Sequence, residues 1–118
     1  MKIKTCELIA PALDWAVAKA LGLRVETSGR MYYWIYDDYS GDDDFQIPSY
    51  STDWAQGGQI IERKIIELTP SFNPNYWNAR VALRGKWCVG PTALIAAMRC
   101  YVASKMGDEI EIPKELMQ

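Results

Sequence analysis

The chain has 118 residues, 49% of them hydrophobic, which suits a single domain (residues 1–118) with one core. The formal net charge of −2 provides no overall positive field to attract nucleic acid or an anionic membrane. No stretch is long and apolar enough to span a bilayer, and the first residues contain no apolar signal segment. We therefore expect a cytoplasmic protein that binds neither nucleic acid nor membranes.

The cysteine and histidine content restricts the chemistry. The chain contains no histidine, and its three cysteines, Cys6, Cys88 and Cys100, are well separated in sequence. This combination argues against a zinc site and against a Cys–His or Ser–His nucleophile. A reducing compartment is the simplest setting for such cysteines. We expect no metal, no cofactor and no catalytic residues.

Two segments have the periodicity and end signals of helices. Residues 11–21 begin with a proline, place apolar side chains at helical spacing and are followed by Gly22. Residues 91–106 follow Gly90, carry a broad apolar stripe beside a strip of small residues, and stop at Gly107. The second helix is predicted to lie at the centre of the core.

Alternation and strand-favouring residues predict the strands. They are expected over residues 1–5, 23–26, 30–36, 65–68, 76–84 and 108–112. Residues 85–86 are either a turn or the end of the strand, and residues 87–89 continue the extended run. The predicted fold class is α+β. An antiparallel sheet packs against the two main helices, residues 11–21 and 91–106, with a short helix near residues 53–64.

The stretch from Thr52 to Glu62 combines a capping hydroxyl, an acid, a tryptophan, an amide and two adjacent glycines. Because two interior glycines each cost about 1 kcal/mol relative to alanine, the helix is expected to break and restart as residues 59–64. In a binding site, the glycines would expose backbone N–H groups to a ligand. Asp53 and Gln56 would hydrogen-bond its polar edge, and Trp54 would stack on it. The structural alternative is a plain turn with a satisfied cap.

Arg99 and Trp15 each allow two interpretations. A buried Arg99 needs a partner, which would be Asp53, Glu62 or a ligand phosphate, whereas an Arg99 at the solvent edge needs none. Trp15 lies off the apolar stripe of its helix, one turn before Lys19. It either covers the helix flank, with the lysine stem across it, or forms a pocket wall.

Residues 30–47 combine an aromatic strand with an acidic run. Residues 30–36 place tyrosine and tryptophan on one face, which suits a stacking platform or a covered sheet. The following segment, Asp37 to Asp44, contains five aspartates around one glycine. It would bind calcium, imitate a phosphate backbone or form a solvated loop, and its spacing lacks the helix–loop–helix calcium pattern.

Three segments together resemble a known family. They are ALDWAVAK (residues 12–19), STDWAQGG with IIER (residues 51–58 and 60–63), and GPTALIAAMRCYVASK with GDE (residues 90–105 and 107–109). The combination is similar to the NinX-like small proteins of phages and prophages, a family of unknown function. The resemblance implies a phage accessory protein acting inside a bacterium, and it implies no catalytic residues. It also places the stretch from Thr52 to Glu62, Trp15 and the helix carrying Arg99 in one signature.

Three functions follow from these observations. The first is a non-catalytic protein that binds a small nucleotide-like ligand and sequesters a host defence signal. Its site would comprise Trp15, Asp53, Trp54, Gln56, Gly57, Gly58, Glu62, Arg63 and Arg99. The second is an interaction protein that binds a host protein, with the acidic run as a decoy. The third and least favoured is an enzyme in which Asp53 and Glu62 perform acid–base or metal-assisted chemistry. A homo-oligomer is compatible with all three.

Overall fold

A computed structural model of the chain describes residues 1–27, 33–36, 44–82 and 84–116, without the side chains of residues 24, 26–46, 84 and 115. The helices are α1 (Ala12–Ala20), α2 (Trp54–Lys64) and α3 (Ala93–Met106), with short 3-10 helices at Thr5–Glu7 and Lys114–Leu116. The strands are β1 (Lys2–Lys4), β2 (Arg24–Thr27), β3 (Tyr33–Tyr36), β4 (Asp44–Gln46), β5 (Ile66–Pro70), β6 (Trp77–Val81), β7 (Arg84–Gly90) and β8 (Glu109–Glu111). These elements confirm the predicted α+β class.

The described strands form three small antiparallel sheets. β1 pairs with β8, β2–β3–β4 form a second sheet, and β5–β6–β7 form a third. Within each sheet, neighbouring strands are antiparallel. In the β5–β6–β7 sheet, Leu68 lies opposite Ala79, and Ala79 lies opposite Cys88. Because side chains alternate along a strand, this row faces the core while the neighbouring row faces solvent.

Helix α3 is the element on which the other parts pack. The Thr92 hydroxyl accepts a hydrogen bond from the Ile95 N–H at 3.1 Å and so caps the first turn, while Gly107, with φ of 91°, ends the helix. Helix α3 contacts the inner face of the β5–β6–β7 sheet. It also contacts α1, α2 and the Thr5–Glu7 helix. Its seven buried residues are Leu94, Ala96, Ala97, Met98, Cys100, Tyr101 and Val102. The predicted central position of this helix is confirmed.

Helix α2 is continuous, so the expected break at Gly57 and Gly58 is wrong. A Cβ atom on Gly57 would collide with the backbone carbonyl of Tyr50 and lie 2.7 Å from Cδ1 of Leu94. The glycine therefore allows α2 to pack closely on α3 and on the preceding loop. This packing offsets the low helix propensity of two glycines. The local sequence does not reveal it, because the contacts are made with residues outside the helix.

The turn between β6 and β7 lies earlier than predicted. Strand β6 ends at Val81, and Ala82 adopts a left-handed conformation with φ of 47°. The Ala82 N–H donates to the Ile65 carbonyl at 2.7 Å, which fixes the turn beside the start of β5. The predicted turn at residues 85–86 is therefore part of β7 instead.

Two other sequence features, the aromatic strand and the acidic run, lie partly outside what the structure describes. Residues 37–43 of the acidic run are not among the described residues, and Asp44 is described only as backbone in β4. For the aromatic strand, the backbone of Tyr33–Tyr36 pairs with β2 and β4. The hypotheses about a calcium loop, a decoy surface or a stacking platform there stay predictions.

Candidate functional site

The polar side chains at the start of α2 bind local backbone. The Asp53 carboxylate accepts a hydrogen bond from the Ala55 N–H at 2.9 Å and caps the helix. The Gln56 Oε1 atom accepts from the Ser49 N–H at 2.6 Å. Both side chains thus stabilise the entry into α2, in agreement with the structural alternative, and a ligand would compete with these bonds.

Gly57 and Gly58 have different surroundings. Gly57 is buried beneath Tyr50 and Leu94, so its backbone faces protein. A Cβ atom on Gly58 would meet only the Trp54 ring, at 3.7 Å. The Trp54 side chain is 57% exposed and lies along its own helix. Trp54 is therefore the one member of this stretch that presents a large apolar surface to solvent.

Two further predicted site residues, Glu62 and Arg63, are exposed near the end of α2. Arg63 follows Trp54 by nine positions, which corresponds to about 14 Å along the axis and about half a turn around it. Trp54 and Arg63 therefore lie on opposite sides of the helix. A ligand stacked on Trp54 would not reach the Arg63 guanidinium without extending around α2.

Arg99 joins two backbone segments. Its Nε atom donates to the Leu8 carbonyl and its Nη1 atom to the Val89 carbonyl, each at 2.8 Å. Burial is the main cause that lowers the pKa of the guanidinium. The hydrogen-bond partners are thus carbonyls of the N-terminal segment and of β7, not the carboxylates of Asp53 or Glu62. Leu94 faces α2, and Arg99, five residues later, faces away from it by roughly 140° around α3.

Trp15 is partly buried against the core from α1. The Lys19 Nζ atom lies 5.8 Å from the centroid of the Trp15 ring. This distance is within the range of a cation–π contact and fits the prediction of a ring covering the helix flank.

A buried polar cluster, missed as a site from sequence, connects two of the signature segments. The Asp14 Oδ1 atom accepts a hydrogen bond from the Ser51 N–H at 2.8 Å, and both residues are buried. The buried side chains of Tyr50 and Tyr101 complete the cluster. Burial raises the pKa of Asp14, Tyr50 and Tyr101, and the Asp14 charge raises that of Tyr50 further.

The Ser51 hydroxyl makes no hydrogen bond of ordinary geometry within the described part of the chain. It nevertheless lies close enough to the Asp14 carboxylate to lower the pKa of that group, against the larger effect of burial. The sequence contained one signal for this cluster. Asp14 precedes Val17 and Ala18 by three and four residues and so falls on the buried side of α1.

Two adjoining clefts lie between β7 and the end of α3. One has a volume of about 440 Å³ and is lined in part by Cys6, Trp87 and Cys88. The other has a volume of about 320 Å³ and is lined in part by Cys100 and Ser104. Lys86, Ala103 and Asp108 border both clefts, and the Lys86 Nζ atom forms an ion pair with Asp108 Oδ2 at 3.0 Å. None of the residues predicted for the site lines either cleft.

The solvent side of the β5–β6–β7 sheet forms a second surface, here termed the outer sheet face. The guanidinium of Arg80 lies over the Trp87 ring, with Cζ 4.4 Å from the centroid. The same guanidinium donates to Glu67 Oε1 from Nη2 at 2.8 Å and from Nε at 3.1 Å. The side chains of this face are Glu67, Thr69, Asn78, Arg80, Trp87 and Val89.

Two observations bear on metals and membranes. Within residues 1–27, 33–36, 44–82 and 84–116, no group of three or more histidine, cysteine, aspartate or glutamate residues is placed to hold a metal ion. No described helix combines the length and apolar character needed to cross a membrane.

The architecture defines a small α+β protein built around one long C-terminal helix. A family model described as "Bacteriophage P22, NinX" matches residues 4–105, and the chain belongs to this phage family. The predicted family is thereby confirmed, and the match includes the segment between residues 24 and 47 that the three motifs left uncovered. No curated protein matches the chain.

Proposed function

We propose that this phage protein is a non-catalytic accessory protein that binds a host protein through the outer sheet face, inside the infected bacterium. The observation that carries the proposal is the exposed Trp87 side chain, 42% accessible, held by a stacked Arg80 that is itself tied to Glu67. Tryptophan and arginine are the residues most often found at the energetic centres of protein interfaces.

Preorganisation supports this use of the surface. Binding costs less conformational entropy when a long side chain is already held in one position. Two hydrogen bonds and a ring contact restrain Arg80 before any partner arrives. Val89, 43% exposed, extends the apolar area of Trp87 along the edge strand β7. The outer sheet face therefore offers a fixed apolar and hydrogen-bonding surface to a complementary host protein.

The test uses the full chain immobilised against an extract of host bacteria. The wild type, a Trp87→Ser/Val89→Ser double variant and a Trp54→Ser control are compared, and a retained protein is identified and purified. We expect the double variant to bind that protein at least about tenfold more weakly by calorimetry, because a central tryptophan contributes about 2 kcal/mol or more. Trp54→Ser should bind as the wild type does.

Thermal melts of all three proteins separate lost binding from lost folding. Equal affinity of the wild type and the double variant for the purified protein would contradict the outer sheet face as the binding surface. Removing residues 37–44 tests the acidic run separately, because a decoy function requires that segment and the outer sheet face does not contain it.

Binding of a small nucleotide-like ligand at Trp54 is the second candidate. Its support is the exposed Trp54 ring beside Gly58, since a free ring face accepts any nucleobase by stacking. In this arrangement Asp53 and Gln56 keep their backbone hydrogen bonds, and Arg99 keeps its two carbonyls. Calorimetry against a panel of nucleotides tests the candidate, with Trp54→Ala as the variant. The absence of heat and of any thermal shift with every nucleotide would exclude it.

A further inference from the structure

Two of the three cysteines face the same cleft. Cys6 is exposed on the Thr5–Glu7 helix, whereas Cys88 lies in β7 and is only 7% exposed. Both line the cleft of about 440 Å³, together with Lys86. The cysteines are distant in sequence, so their position at one cleft was not predictable from their spacing.

Arg99 holds the two thiol-bearing segments together. One guanidinium binds the carbonyl of Leu8, two residues after Cys6, and the carbonyl of Val89, one residue after Cys88. Both bonds are 2.8 Å long, so the two segments flank a single side chain. Arg99 therefore joins the two segments that carry Cys6 and Cys88.

The surroundings of Cys88 favour its thiolate form. Interaction with the Cys100 thiol is the largest cause that lowers the pKa of Cys88, and the positive charges of Arg99 and Lys86 lower it further. The same pairing raises the pKa of Cys100, which keeps its proton. Because the thiolate is the nucleophile in disulfide exchange, Cys88 is the better attacking group of this pair.

We propose that Cys6 and Cys88 form a thiol–disulfide exchange site that reacts with a low-molecular-weight disulfide. The exposed Cys6 sulfur attacks one sulfur of the small disulfide, whose S–S bond breaks and releases one thiol. Cys88 then attacks the Cys6 sulfur, forms the Cys6–Cys88 bond and releases the second thiol. The protein loses two electrons and two protons, and the small disulfide gains them as two thiols.

The product would connect the Thr5–Glu7 helix covalently to β7. In a reducing cytoplasm both cysteines stay as thiols, and a rise in small disulfides would form the bond. The site therefore responds to the redox state of the cell. Neither candidate function described above is needed for this reaction, because it uses only the thiols of Cys6 and Cys88, although Trp87 borders both the cleft and the outer sheet face.

The test treats the reduced full chain with oxidised glutathione, followed by acid quenching, alkylation and mass spectrometry of the intact protein and its peptides. The wild type should contain a Cys6–Cys88 disulfide without retained glutathione. Cys88→Ser and Cys88→Ala should retain glutathione on Cys6, because nothing displaces it. Cys6→Ser should react at least about tenfold more slowly, since its remaining thiols are buried.

Cys100→Ser is the matched control. It should form the same Cys6–Cys88 bond, more slowly than the wild type because Cys88 loses the neighbouring thiol. A Cys88–Cys100 bond in the wild type would overturn the proposal. So would stable retention of glutathione on wild-type Cys6. Circular dichroism of each reduced variant verifies the fold, and using two substitutions at Cys88 keeps the result independent of either one.

Discussion

The Ser51 backbone N–H donates a hydrogen bond of 2.8 Å to the Asp14 carboxylate, and both residues are buried. This bond attaches the loop before α2 to the side of α1. It joins two segments of the family signature through a carboxyl group in the core. The bond therefore gives Asp14 a structural role in placing α2.

Replacing Asp14 with alanine should destabilise the protein by about 1–3 kcal/mol, because a buried N–H loses its acceptor. Asp14→Asn keeps an oxygen acceptor and should cost less. Urea unfolding of both variants at neutral pH measures the difference. Equal losses for alanine and asparagine would contradict the hydrogen bond as the main contribution.

A comparison of the wild type with Asp14→Asn gives a pH test. Burial raises the pKa of Asp14 above its ordinary value of 3.8, so protonation of this group favours the folded state. Its stabilising contribution is fully present below pH 3.8 and is lost as the pH rises through the folded-state pKa. The free energy of unfolding of the wild type relative to Asp14→Asn should therefore fall over that window. A constant or rising difference would contradict the pKa direction.

The neighbouring glycines of α2 provide a matched pair of substitutions. Gly57→Ala places a methyl group against the Tyr50 carbonyl and Leu94, and should destabilise the protein by about 1–3 kcal/mol. Gly58→Ala meets only the Trp54 ring at 3.7 Å, and should stabilise the helix by up to about 1 kcal/mol. Chemical denaturation measures both. Similar effects of the two substitutions would mean that α2 does not pack closely through Gly57.

These glycines illustrate how far the sequence determines the fold. Local signals are sufficient for α1 and α3, since apolar spacing and end residues such as Thr92 and Gly107 act within a few positions. They are insufficient for α2, because the continuity of that helix depends on contacts of Gly57 with Tyr50 and Leu94. The position of the β6–β7 turn likewise depends on a hydrogen bond to Ile65, outside the hairpin.

The candidate site was less predictable for a different reason. The sequence predicted Asp53, Glu62 or a ligand phosphate as partners of a buried Arg99, but the observed partners are backbone carbonyls, which every residue carries. Residue type therefore gave no guide to them. The outer sheet face was not among the predicted sites. The pairing of Arg80 with Glu67 and Trp87 required the register of three strands.

Arg99→Lys should destabilise the protein by about 1–3 kcal/mol even though it keeps the charge. A lysine lacks the planar fork that reaches the Leu8 and Val89 carbonyls together. Amide exchange in residues 5–8 and 88–90 should accelerate in the same variant. Arg63→Lys, on the exposed end of α2, is the control and should change stability by less than about 0.5 kcal/mol. If Arg99→Lys and Arg63→Lys have equal stabilities, the two hydrogen bonds from Arg99 to backbone carbonyls contribute little.

Ile65 is a site where stability can be gained. This β-branched residue ends α2 in a left-handed conformation, with φ of 54°, and its side chain is 70% exposed. Glycine tolerates that conformation, so Ile65→Gly should stabilise the protein by about 1 kcal/mol. The adjacent Ile66 is buried in extended backbone, and Ile66→Gly should destabilise it by about 2–5 kcal/mol. Thermal unfolding distinguishes the two variants. A loss of stability in Ile65→Gly would contradict the view that the left-handed conformation of Ile65 strains the backbone.

The position of α3 has a consequence for biosynthesis. The inner face of the β5–β6–β7 sheet and the buried side of α1 are both covered by residues 93–106, which are translated after them. A nascent chain that ends before this helix has no surface on which those earlier elements can pack. The protein should therefore remain sensitive to proteases on the ribosome until the helix has emerged, and then fold in one late step.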